Sequence, residues 1–352
     1  MVDTKRPKRF SRRAVLGFAT VLMPALVTGL WRPPSLMAAD RIAANPFADV
    51  VPGTWRDEWP NTDFSQTTVK YGEIQSGGPP KDGIPAIDRP NFTPLAEAVD
   101  LPAREPVVVV SVNGQSKIYP LRILTWHEIV NDVIGGVAVV VTYCPLCNTA
   151  IVFDARLDGQ IYTFGTTGKL RNSDLVMYDR QTESWWQQFS GDAIIGRMVG
   201  RTLDMVPSRI ESFDRARTRT PGALVLAAPT DTNRPYGSNP YVGYDTALQP
   251  FLFAGDLPGD IAPMMRVVAV GNRAWTLPLL RERGRIEVDD LVLSWTAGQN
   301  SALDTRTISR GRDVGNVTVQ RRGAAGLVDV VHHVTFAFAF YAFQPDGTLF
   351  QN

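Results

Sequence analysis

The chain has 352 residues, with 36 Lys or Arg, 35 Asp or Glu, three His and two Cys. That length is ample for a large core in one domain or two, two cysteines cannot staple so much chain, and a near-balance of charge without an internal basic block excludes a nucleic-acid partner. Without residues 1–39, which carry 7 basic and 1 acidic residue, 29 basic and 34 acidic residues remain, a net charge of −5.

Lys5 to Arg13 is strongly basic, Ser11-Arg12-Arg13-Ala14-Val15-Leu16 holds a twin arginine, and the apolar run Ala14 to Leu30 is broken by Gly17, Pro24 and Gly29. With the small residues around Met37-Ala38-Ala39, this predicts a twin-arginine-type signal over 1–39, cleaved after Ala39, and a periplasmic or extracellular protein. The run is too short and too broken for a good spanning helix, so no stable membrane span is expected after cleavage. The route carries folded proteins, often with a cofactor already inserted, which favours a bound metal; the expected partner is a small molecule or another exported protein.

Residues 40–105 are rich in Pro, Gly and polar side chains and read as an extended segment wrapping a core, anchored by Trp55 and Trp59, with Gly83-Ile84-Pro85-Ala86-Ile87-Asp88 as a rigid apolar turn. A β-rich domain follows over 106–352. Val107 to Val112 and Gln115 to Tyr119 flank Asn113-Gly114, a strong hairpin signal. Leu121 to Asp132, with Trp126, His127 and Glu128, has apolar residues at helical spacing and predicts a short helix ahead of Gly135-Gly136.

Gly136 to Phe153 concentrates the chemistry. Val137 to Val141 and Ala150 to Phe153 are apolar β-type runs, so Cys144-Pro145-Leu146-Cys147 sits in a tight turn between strands. A thioredoxin-type pair would instead open an amphipathic helix. Two thiols on such a turn resemble a metal knuckle able to hold a soft cation, copper or zinc, with His127 as a candidate third ligand. Two other readings stay open: a thiol-disulfide pair, in which one cysteine attacks and the other resolves, and an inert local disulfide in a binding or scaffold module.

Beyond the turn, Gly165 to Asp174 reads as a polar glycine loop; its spacing is wrong for a phosphate loop, but Lys169, Arg171 and Asp174 are candidates for a polar site near the thiols. Leu175 to Tyr178 and Ser184 to Gln188 suggest a hairpin, with Trp185 and Trp186 as core. The loop Arg234 to Asp245, rich in Tyr, Gly and Pro, is either a surface connection or a lid. Val268-Ala269-Val270-Gly271-Asn272 and Leu277-Pro278-Leu279 match Val110 to Gly114 and Tyr119-Pro120-Leu121 at a constant offset, and Leu291 to Trp295 takes the place of the cysteine strand. These matches imply a duplicated β module, with a first copy over about 106–215, connecting loops over 216–263 and a second copy over about 264–352 that has lost the thiols. Val330 to Phe343 alternates as a closing strand would, and of the adjacent His332 and His333 at most one can easily face the cysteines. The expected fold class is β-rich α+β, built of antiparallel strands and hairpins with a few short helices.

The pieces Gly83 to Asp88, Tyr119-Pro120-Leu121 with Trp126 to Asp132, Thr142 to Asn148, Phe164 to Asp174 and Pro240 to Asp245 together resemble a bacterial and archaeal family filed as domain of unknown function 3179. The resemblance covers nearly all of the chain after the signal and brings no activity with it. One departure, Gln344 where members carry a histidine before Pro-Asp, weakens a histidine ligand at that place. Catalytic templates fail: Asn131 stands where a zinc protease needs its second histidine, and no Gly-x-Ser-x-Gly elbow occurs.

Overall fold

Asn113-Gly114 is the strongest local signal in the chain. In the computed structural model, which describes residues 50–259, 261–324 and 326–352, it joins strand β1 (Pro106–Val112) to β2 (Gln115–Pro120). Both turn residues have positive φ, 49° and 80°, which matches the twist of the flanking strands. The export signal lies outside the described residues. Among those described, no helix is long and apolar enough to cross a membrane.

The valine run of β1 is buried on both faces, and period-2 alternation divides it. Val107 and Val109 pack with Phe213 and Ala216, while Val108 and Val110 enter the largest core with Tyr119 and Leu124. Helix α1 (Leu121–His127) follows, then β3 (Ile129–Ile134) and β4 (Val137–Cys144), paired from Ile129 opposite Thr142 to Ile134 opposite Val137. The helix expected to reach Asp132 thus ends at His127. Glu128 takes φ 58° and ψ −33°, which stops helical progression, and the remaining Ile-Val-Asn-Asp continues as strand.

β5 (Thr149–Asp154) completes the cysteine hairpin, and β6 (Phe164–Arg171) pairs with β7 (Asp174–Asp179) through an Asn172-Ser173 turn. The polar loop expected from Gly165 is therefore mostly strand. Gly168, at φ 69°, allows a bulge where the register shifts between Thr166 and Lys169. Trp185 and Trp186 are fully buried, as expected, and Trp55 and Trp59 pack with Trp185.

The duplication is visible in the topology. β8 (Ser208–Ser212), helix α2 (Phe213–Arg219) and β9 (Leu224–Leu226) flank the first hairpin in the order β8-β1-β2-β9. In the second half, β10 (Arg266–Val270) and β11 (Arg273–Thr276) form the hairpin, α3 (Leu277–Arg283) follows, and β12 (Arg285–Val288), β13 (Leu291–Thr296) and β14 (Asn316–Gly323) repeat the order of β3, β4 and β5. β15 (His333–Phe336), α4 (Ala337–Phe343) and β16 (Thr348–Phe350) then give β15-β10-β11-β16. The small sheets form a propeller-like ring.

Two expectations change in detail. The repeat has no constant offset, because β11 is shorter than β2; the helices begin at Leu121 and Leu277, so Leu277 corresponds to Leu121 rather than Tyr119. The closing strand ends at Phe336, and the alternating Ala-Phe run after it is helix α4. Ala337, Phe338, Ala339 and Phe340 are all fully buried, and where every side chain is covered periodicity cannot separate strand from helix.

Candidate metal centre

The alternation of β4 decides where the thiols point. Val139, Val141 and Tyr143 face the largest core, whereas Val140 and Cys144 face a second one with Phe153, Phe164, Phe336 and Phe338. Cys144 pairs with Thr149, so Pro145 to Asn148 form the turn; it is closed by a 3.1 Å bond from Asn148 N–H to the Pro145 carbonyl, with Asn148 at φ 53°. β15 then locks the turn from outside: Thr335 Oγ1 donates to the Cys147 carbonyl at 2.9 Å, and Phe336 N–H does so at 3.3 Å. Cys144 and Cys147 are 2% and 0% exposed, and both thiols are free.

The third group arrives on β7. Asp174 is the first residue after the Asn172-Ser173 turn, whose two positive φ angles, 52° and 62°, bring the chain back over the thiols. One ligand atom each from Cys144, Cys147 and Asp174 lies within 4.8 Å of the others. Asp174 Oδ2 accepts from Gln187 Nε2 at 2.7 Å and from Phe189 N–H at 2.9 Å, while Oδ1 is buried without a hydrogen-bond partner. Both Sγ atoms approach the Ser173 carbonyl, at 3.8 and 3.5 Å.

Burial dominates the electrostatics. It raises the Asp174 carboxyl to about 7, against the favourable bonds from Gln187 and Phe189 and the two thiols beside it. It also raises both thiols, Cys147 more strongly than Cys144. Three acidic groups with no cation among them are a donor set whose missing component is positive charge. Two thiolates and a carboxylate are a donor set that suits zinc.

The other sequence candidates lie elsewhere. His127 contacts the Pro85 carbonyl through Nδ1 at 2.8 Å and the Tyr236 hydroxyl through Nε2 at 2.7 Å, so both ring nitrogens are occupied and it stands outside the group. Lys169 holds Glu58 at 2.8 Å beneath the tryptophan cluster, and Arg171 holds Glu73 at 2.8 Å. His332 contacts the Val330 carbonyl, and His333 stacks on Phe189 with centroids 4.6 Å apart.

Sequence reasoning passed over Glu128. It is 7% exposed, burial lifts its carboxyl to about 8, and it borders a cavity of about 360 Å³ shared with Leu146 of the cysteine turn, Leu175 next to Asp174, and Tyr241 and Tyr244 of the Tyr-rich loop. The signal that would have found it is in the repeat: the residue that ends α1 is glutamate, and the one that ends α3 is Gly284. Residues 81–347 match the family model described as protein of unknown function (DUF3179). The chain belongs to this family. The match spans the cysteine turn, Asp174, Glu128 and the Tyr-rich loop, so the whole centre lies inside the family domain. No curated protein and no solved structure matches the chain.

Proposed function

We propose that this is an exported metal-binding protein in which Cys144, Cys147 and Asp174 hold one zinc ion beside the 360 Å³ cavity. The observation that carries the reading is the convergence of two buried thiols and a buried carboxylate whose Oδ1 has no partner. A tetrahedral zinc with sulfur ligands at about 2.3 Å needs sulfurs about 3.8 Å apart, a spacing within reach of this turn. Zinc is preferred over copper because a carboxylate is a poor partner for the soft cuprous ion. The twin arginine at Arg12-Arg13 supports loading before export.

A thiol-disulfide exchanger needs an exposed thiolate of low pKa, whereas burial here raises both thiols and hides them. The test is elemental analysis of protein purified without chelator, beside Cys144→Ser and Cys147→Ser. About one equivalent of zinc in the parent, and little in either variant, is expected. Metal-free protein from a zinc-replete culture would overturn the proposal.

A further inference from the structure

The cavity beside the cysteine turn is chemically one-sided. Its walls include Ile84, Leu146 and Leu170, and the 241–251 stretch contributes three aromatic rings, Tyr241, Tyr244 and Phe251, the last half exposed. Glu128 is the carboxyl that borders it, and among the described residues that carboxyl has no hydrogen bond and no ion pair. Lys169 also lines the space, but its ammonium is committed to Glu58 at 2.8 Å. The acidic groups whose charge reaches Glu128 and its neighbour Tyr241 include Asp174 and Cys144, and against them Arg234 acts on Glu128 as a positive charge without pairing with it.

The backbone adds an independent observation. Glu128 (φ 58°, ψ −33°) and Gly284 (φ 67°, ψ −37°) end equivalent helices in the two halves of the repeat. Each donates its N–H four residues back, to Leu124 and Leu280, and each carbonyl accepts from the facing strand, from Tyr143 at 2.8 Å and Trp295 at 2.9 Å. Glycine therefore serves the fold at this position without strain. The first half instead places a carboxyl there, in a conformation that side chains disfavour, and a strained residue whose buried carboxyl has no partner, beside a cavity, points to a ligand.

The ligand's charge follows from the lining. Lys169, the basic residue in the wall, is held by Glu58, so an anion would find no free cation beside the Glu128 carboxyl and the negative faces of the rings, whereas a cation favours the ionised carboxyl and lies on those faces. We propose that the cavity binds a small organic cation, an ammonium group on an apolar body, with the ammonium on Glu128 and the body against Tyr241, Tyr244 and Phe251. The site does not depend on a metal at the cysteines.

Benzyltrimethylammonium, which cannot ligate a metal, is the probe, with benzyl alcohol and benzoate as neutral and anionic comparisons, all titrated by calorimetry into the full protein. Saturable one-to-one binding of the cation, about tenfold or more tighter than benzyl alcohol, is expected, with none for benzoate. Glu128→Gly, which the geometry at Gly284 shows the backbone to accept, should reduce the cation to the affinity of the alcohol. Tyr241→Leu, which keeps the carboxyl and removes a ring, should weaken the cation about threefold to tenfold. The proposal is overturned by the alcohol binding as tightly as the cation, by no saturable cation binding, or by cation affinity unchanged in either variant.

Discussion

Replacing Glu128 with glycine should stabilise the metal-free protein, by an amount that depends on pH. In the unfolded chain the carboxyl titrates near its ordinary value of 4.5, and in the fold burial raises it to about 8. The folded state therefore binds the extra proton across that interval. Stability from this group is intact below its unfolded pKa and is lost as pH rises through the folded one. At 1.36 kcal/mol per pKa unit, the loss is about 1 kcal/mol at pH 5 and about 4 kcal/mol at pH 7.5. Glycine also relieves a backbone strain of about 1–3 kcal/mol. Against this stand the greater unfolded-state entropy of glycine, about 0.5–1 kcal/mol, and two buried methylenes at about 0.8 kcal/mol each. Those last three contributions roughly cancel, which leaves the charge. Urea unfolding with chelator present should show Glu128→Gly within about 1 kcal/mol of the parent at pH 5 and about 4 kcal/mol more stable at pH 7.5, or about 6 °C in Tm. An equal effect at both pH values would refute the charge argument, and destabilisation at both would refute the backbone argument too.

Asp174→Asn removes the carboxylate charge while keeping an oxygen for Gln187 and Phe189, and should weaken zinc by about 100-fold in competition with a chromophoric chelator. Unchanged affinity would take Asp174 out of the donor set. Gly168→Ala forces a side chain onto a residue at φ 69° and into the Pro79 carbonyl, and should lower stability by about 3 kcal/mol or more. A urea midpoint equal to that of the parent would contradict the bulge.

Elements with local causes were legible in the sequence. Asn113-Gly114 enforces its own hairpin, the β-branched run Val137 to Val141 can only be a covered strand, and the Cys-Pro-Leu-Cys turn follows from two apolar runs with a proline between them. The repeat was also legible, since its hairpin, helix and strand patterns recur. The errors fell where local pattern is ambiguous. Ala337 to Phe340 alternates like a strand yet is helical, because burial on all sides removes the contrast on which periodicity depends, and Gly165 to Asp174 reads as a loop although a single positive-φ glycine turns it into a bulged strand.

The sequence by itself determined that two thiols project from a turn between strands, because three residues of spacing and the flanking patterns fix that much. Only the tertiary structure decided what faces them. Asp174 stands 27 positions after Cys147 and reaches it through sheet pairing, while His127, only 17 before Cys144, is turned away to Pro85 and Tyr236. Nearness along the chain does not set direction: the face a side chain takes depends on strand register and on the point where a helix stops, and here one residue at positive φ, Glu128, sets that point.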